Sequence, residues 1–289
     1  QAHLFNKRNN GNRNDADIYT GLYTLAKNRK SDKIKVFEEV SGTVRNILFI
    51  PARNEFIASD NEGRVMLYDL KNQGREKNYR LLYTDTEIVD VMAVSPDAGW
   101  LACGDGGNSV KVISLDGRGT NYELKGHSGK IKSLVFSFDG SFLYSAALDG
   151  KVLKWNLASG NSVELETDRT IITSLDVSSD NRYVAGVTDR GEGVVWNQGN
   201  TAGKFRIETA NKRIRCIRFK PDEARIAVGY DDGLIEIWDV TAGKMLSEFR
   251  AHSGEIKAIR FNRYNEQMAT SGDDETLKLW DTGDFINPP

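Results

Sequence analysis

The sequence predicts an all-β fold in which one antiparallel sheet is repeated six times. Three observations point to it. The first is residues 126–156, GHSGKIKSLVFSFDGSFLYSAALDGKVLKWN, where strand-like runs are separated by Asp139-Gly140 and Asp149-Gly150. Asp-Gly between alternating apolar residues is a strong hairpin signal, and a two-residue turn needs φ > 0 at both positions. The expected strands are 131–137, 141–146 and 151–155. The second observation is recurrence: a β-branched residue opens the equivalent run at Val44, Val89, Ile131, Ile172, Ile214 and Ile256, in steps of 45, 42, 41, 42 and 42 residues. The third is that a lone three-stranded meander leaves its apolar faces wet, so such a unit needs copies of itself on both sides.

A period of about 40–45 residues with four strands per unit and a Gly-His…Trp-Asp signature is the pattern of propeller blades. The signature is carried here by Gly126-His127…Trp155-Asn156, by Trp238-Asp239, by Ala251-His252…Trp280-Asp281 and, more weakly, by Tyr68-Asp69. On these residues the chain resembles the WD-repeat (WD40) family. The resemblance implies a WD40-type β-propeller of four-stranded antiparallel blades over residues 31–289, with six repeats visible.

Residues 1–30 do not fit the repeat. Ile18, Leu22, Leu25 and Ala26 fall at helical spacing behind Asp15, a candidate N-cap, which predicts a short N-terminal helical segment or connector. This lead-in looks like the one before the WD repeats of bacterial STAND-type signalling ATPases. Residues 33–39, KIKVFEE, alternate as a strand and, by the resemblance, would be the outer strand of the last blade. The first unit has Tyr68 where Trp is usual. The second is the most divergent, with Ile113 there and the glycine-rich turn GDGGNS. The fourth ends at Trp196, the fifth at Trp238 and the sixth at Trp280. Outer strands are expected near residues 77–83, 121–124, 162–166, 204–209 and 244–250. The tail TGDFINPP reads as the lead-in to a further repeat. Either a seventh blade is missing, which is the first reading, or six blades close with residues 33–39.

Composition narrows the function classes. Lys and Arg number 39 against 41 acids, a net charge of −2, so the basic excess expected of a nucleic-acid binder is absent. No apolar run approaches the ~18 residues of a membrane span, and no signal peptide is visible. The cytoplasm is the first reading of the compartment, the periplasm the second. The chain opens on Gln1 rather than Met, so a missing upstream part, with an upstream domain of the same polypeptide as a partner, is expected. Cys103 and Cys216 fall in strand patterns of units that are not neighbours and read as small core residues.

His127, Ser145, Asp149 and Trp155 invite a Ser/His/Asp triad reading. The same pattern recurs as His252, Thr270, Asp274 and Trp280, which a catalytic triad has no reason to do. In WD repeats these positions form a buried chain from Asp through His and Ser or Thr to the Trp indole, so a structural hydrogen-bond network is expected. The segment GNTAGK at 199–204 lacks the spacing and the Ser/Thr of a phosphate-binding loop, and its TAGK recurs at 241–244 between strands, so it reads as a turn. No Cys/His/carboxylate cluster has metal-ligand spacing. No cofactor and no catalytic centre are expected.

The residues after the six aligned positions are Arg45, Asp90, Lys132, Thr173, Arg215 and Lys257. Facing a common axis they would form a positive zone; paired with turn acids they would not. The functional expectation is a non-catalytic scaffold or sensor module that binds a protein or peptide through the loop rim, as part of a larger bacterial signalling protein. A structural subunit of a larger bacterial assembly and a propeller enzyme with an axial site are the alternatives. The expected rim residues are Lys130, Arg190, Lys212, Arg213, Tyr230, Asp231 and Glu255, with Tyr230 between arginines as the anchor, since Tyr and Arg concentrate at binding hot spots.

Overall fold

The computed structural model of this chain describes residues 42–51, 53–70, 79–104, 107–199, 203–209, 211–221, 224–262 and 267–282. The expected helical segment at 1–30, the strand at 33–39, residues 200–202 of the GNTAGK turn and residues 283–289 of the tail lie outside the described residues. The described strands fall into two compact units that meet in sequence between Gly126 and His127.

The first unit holds two four-stranded antiparallel sheets. One runs β1 (Val44–Phe49), β2 (Glu55–Asp60), β3 (Arg64–Asp69), β4 (Tyr79–Thr84); the other runs β5 (Val91–Val94), β6 (Trp100–Gly104), β7 (Ser109–Ser114), β8 (Tyr122–Lys125). The second unit repeats the design in β9 (Ile131–Phe136), β10 (Phe142–Ala147), β11 (Val152–Asn156), β12 (Ser162–Leu165), then in β13 (Ile172–Val177), β14 (Tyr183–Thr188), β15 (Gly193–Asn197), β16 (Lys204–Ile207), and in β17 (Ile214–Phe219), β18 (Arg225–Tyr230), β19 (Leu234–Asp239), β20 (Lys244–Arg250). Its last sheet has three described strands, β21 (Ile256–Asn262), β22 (Gln267–Gly272) and β23 (Leu277–Asp281). Strands follow sequence order across every sheet, so each is a blade of the propeller type.

Alternation explains the core. Along β19, Ile235 and Ile237 point to one face and pack with Cys216 and Ala227 against Ile256, Ile259 and Met268 of the next sheet. The opposite face of the β17–β20 sheet, with Ile214, Ile217, Ile226 and Val228, packs on Ala185, Val187 and Val195 of the preceding one. Each such aliphatic side chain contributes about 1.5–3 kcal/mol when removed from water. Cys103 and Cys216 are buried and free, and burial pushes the Cys216 thiol up to about 11.

The Asp-Gly turns differ from the tight form expected. Only the glycines take the left-handed conformation, Gly140 at φ 71° and Gly150 at φ 77°. The chain closes a four-residue turn instead, with Gly140 N–H donating to Ser137 O at 3.0 Å and Gly150 N–H to Ala147 O at 3.2 Å. The aspartates stay in ordinary backbone conformation because their carboxylates cap the turn: Ser141 N–H donates to Asp139 Oδ1 and Lys151 N–H to Asp149 Oδ1, both at 3.0 Å.

A second device recurs. The ladders between first and second strands skip one residue after Val44, Ile131, Ile172, Ile214 and Ile256. The extra residues are Arg45, Lys132, Thr173, Arg215 and Lys257. A bulge kinks the strand and re-aims its extra side chain.

Candidate functional site

The two expected networks are present as geometry. In the third blade His127 Nδ1 donates to Asp149 Oδ2 at 3.0 Å, the Ser145 hydroxyl donates to His127 Nε2 at 2.7 Å, and the Trp155 indole donates to Ser145 Oγ at 2.8 Å. This chain of donors assigns the histidine tautomer. Ser128 N–H donates to the same carboxylate at 2.8 Å. In the sixth blade His252 donates to Asp274 at 2.7 Å, Thr270 to His252 at 2.8 Å, and Trp280 to Thr270 at 2.9 Å.

Neither network can act as a nucleophile relay. Ser145 is 0 % and Thr270 1 % exposed, and each hydroxyl gives its proton to His while accepting from Trp. Burial is the main reason the His127 imidazole is held below its usual range and stays neutral. Burial also works to raise the Asp149 carboxyl, but the Ser128 and Lys151 amides and His127 outweigh it and keep the group ionised.

The other blades solve the same problem differently. In the fourth, Gly186 leaves no hydroxyl, and the Trp196 indole donates to the Glu166 carbonyl at 2.8 Å. In the fifth, Glu236 is buried and accepts from the Trp238 indole at 2.8 Å and the Tyr230 hydroxyl at 2.6 Å. Sequence reasoning missed Glu236. The available signal was a carboxylate between Ile235 and Ile237, two residues before Trp238, in a unit that lacks Gly-His.

This corrects the expected binding anchor. Tyr230 is the last residue of β18 and is 0 % exposed. Its ring lies under the Lys212 ammonium at 5.2 Å, and burial pushes its hydroxyl pKa up. It offers a partner no surface. Lys212 is half-buried, 3.6 Å from Glu236 and 3.7 Å from Glu248. Glu255 accepts from Arg215 at 2.6 Å and Lys257 at 3.0 Å. Arg213 is exposed; its amide donates to Asp231 at 3.1 Å and its guanidinium to the Asp189 carbonyl at 3.0 Å. Arg190 is exposed, and Lys130 is half-buried, with its carbonyl accepting from Leu148 N–H at 2.9 Å.

Three of the four bulge cations are paired with carboxylates. Arg45 lies 3.4 Å from Asp90, Arg215 pairs with Glu255, and Lys257 pairs with Glu255 and Asp273. Among the described residues no group of three or more His, Cys, Asp or Glu is placed to hold a metal ion, and no helix is long and apolar enough to cross a membrane.

Comparison with known proteins agrees with this architecture. The family model "WD domain, G-beta repeat" matches residues 119–156, and that of the "Anaphase-promoting complex subunit 4 WD40 domain" matches residues 188–264. The chain is similar to pre-mRNA-processing factor 19 of Bos taurus, 27 % identical over 166 residues, which cover 55 % of this chain and 32 % of the relative. It is 28 % identical to the p21-activated protein kinase-interacting protein 1-like protein of Danio rerio, over 72 % of this chain and 55 % of that protein. It is 23 % identical to the serine-threonine kinase receptor-associated protein of Dictyostelium discoideum, over 82 % and 79 %. The chain thus spans about a third to a half of the length of the first two relatives. The three organisms are eukaryotes. The fold is of the WD40 type, whose domains generally act as protein-interaction scaffolds.

Proposed function

We propose that this chain is a non-catalytic scaffold that binds a protein or peptide through the loops joining successive blades and the turns between second and third strands. One observation carries this reading. The residues that most resemble a catalytic constellation occur twice, and in each copy the hydroxyl that would be the nucleophile is buried and bonded to both His and Trp. Polar groups so paired hold a blade together and have no capacity left for substrate. The rim loops are free to vary while the blades fix their position, so recognition belongs there.

A subunit role in a larger assembly is the second reading, favoured by the match to a domain named for a subunit of the anaphase-promoting complex. The bacterial STAND-type origin rests on residues 1–30, outside the described residues, and the eukaryotic relatives lend it no support. An upstream domain and a cytoplasmic rather than periplasmic setting belong to the proposal as well.

Affinity capture from the native host tests the rim. The comparison is between the unaltered chain, an Arg190→Glu/Arg213→Glu variant and a Lys244→Glu control on the outer strand β20. Loss of a specific partner by the rim variant alone, at unchanged thermal stability, is expected. Retention by all three would move the binding surface off the rim.

A further inference from the structure

Resting on the scaffold reading, we infer that the rim of the third and fourth blades, built from Lys132, Leu148, Arg169 and Arg190, is a docking site for an acidic protein segment that carries a large apolar side chain.

These residues are contiguous. Leu148 follows β10 in the turn to β11, and its amide donates to the Lys130 carbonyl at 2.9 Å. Lys132 is the bulge residue of β9, next to Ile131, which pairs with Ala147 beside Leu148. Gly150, at the end of the same turn, lies against Arg169; an added Cβ would sit 2.9 Å from the Arg169 carbonyl oxygen. The Asp189 amide donates to Ile171 O at 2.9 Å, which joins the Arg169 loop to the turn bearing Arg190.

The chemistry of the patch is distinctive in three ways. Leu148 is 48 % exposed among cations, where an apolar side chain gains by being covered. Among the described residues Lys132, Arg169 and Arg190 make no ion pair, whereas Lys212, Arg215 and Lys257 on the fifth and sixth blades are each paired with carboxylates. The backbone is also strained there. Asp168 and Arg169 are successive left-handed residues at φ 54° and 58°, each costing about 1–2 kcal/mol. The Asp168 carboxylate accepts from Lys204 at 2.8 Å and Arg206 at 2.7 Å, which fixes the loop and leaves Arg169 exposed. Backbone strain held by its surroundings concentrates at binding sites.

Charge complementarity selects the partner. Three cations around one leucine match a segment with an apolar residue flanked by Asp or Glu, and opposite charges steer the encounter. A single-stranded nucleic acid would want aromatic side chains for base stacking. The exposed residues of this rim include none, since Phe138 lies in the turn at the other end of β9 and β10.

The test is fluorescence anisotropy on the whole chain with three labelled probes: a short peptide of Asp and Glu around a central leucine, the same peptide with serine for leucine, and polyuridylate of similar length. The leucine peptide is expected to bind saturably, the serine peptide more weakly, and both less as salt rises. Arg169→Glu/Arg190→Glu should raise the dissociation constant about tenfold, Leu148→Ser roughly threefold, and Lys244→Glu leave it unchanged, with equal melting temperatures throughout. Absence of saturable peptide binding, indifference to the double variant, an equal loss with Lys244→Glu, or tighter binding of polyuridylate would each overturn the inference. If host capture still depends on the rim while the acidic peptide fails to bind, the scaffold reading stands and this one falls.

Discussion

The Trp155 indole donates to Ser145 Oγ at 2.8 Å, on two residues that are 2 % and 0 % exposed. Removing the hydroxyl orphans two buried groups, the indole N–H and His127 Nε2. Ser145→Ala should therefore cost about 1–3 kcal/mol, read as a shift in denaturant midpoint. The fifth blade makes the parallel case: Glu236→Leu strands the Tyr230 hydroxyl and the Trp238 indole and should cost a similar amount. A variant that lost a hydrolytic activity at unchanged stability would identify Ser145 as catalytic instead.

Acid should weaken the third blade first. The folded-state pKa of His127 lies below its ordinary value of 6.5, chiefly through burial, so the unfolded chain takes up the proton more readily. That contribution to stability is fully present above pH 6.5 and is lost as pH falls from there through the depressed folded value. Asp149, also depressed, adds a loss of the same sign below its ordinary 3.8. The melting temperature should be flat just above neutrality and begin to fall below pH 6.5, and His127→Gln should flatten the first part of that fall. A stability that rises on acidification would contradict the neutral assignment.

One turn position is left-handed in every blade: Gly63, Asn108, Gly150, Gly191, Gly233 and Glu275, the last at φ 61°. Glu275→Gly should stabilise by about 0.5–1 kcal/mol, because glycine adopts this conformation without penalty. Gly233→Ala should do the reverse and cost more, since its Cβ would overlap the His252 carbonyl oxygen. Paired thermal melts check both signs.

Ile235 and Ile237 are 0 % and 3 % exposed between the fifth and sixth sheets, whereas Leu277 and Leu279 at the equivalent positions of the sixth are 50 % and 48 % exposed. Ile237→Ser should cost about 2–4 kcal/mol and Leu279→Ser under about 1 kcal/mol. A loss at Leu279 as large as that at Ile237 would show that another sheet covers this face.

Much of the fold was legible because the repeat is written in spacing: a β-branched residue every 41 to 45 positions opens five of the six first strands, while in the second blade β5 begins at Val91, two residues after Val89, and β20 spans the residues expected of it. The histidine networks were legible because Gly-His, Ser or Thr, Asp and Trp sit at fixed offsets. Tyr230 was misread because local sequence does not reveal how far β18 extends, and one more strand residue turns that ring from the rim into the core. The turns were misassigned for a related reason: an Asp carboxylate can cap the turn without Asp itself becoming left-handed. Glu236 escaped because a strand carboxylate normally reads as solvent-facing, and only its buried tyrosine and indole partners make the inward position tolerable.

Hydrogen exchange on the chain bound to its captured partner distinguishes a rim-binding scaffold from one that binds along its outer strands. Protection is predicted in the rim segments 166–171, 188–192 and 211–213, with the outer strands β12, β16 and β20 unchanged. Protection confined to those outer strands, or no protection anywhere on the rim, would contradict the account.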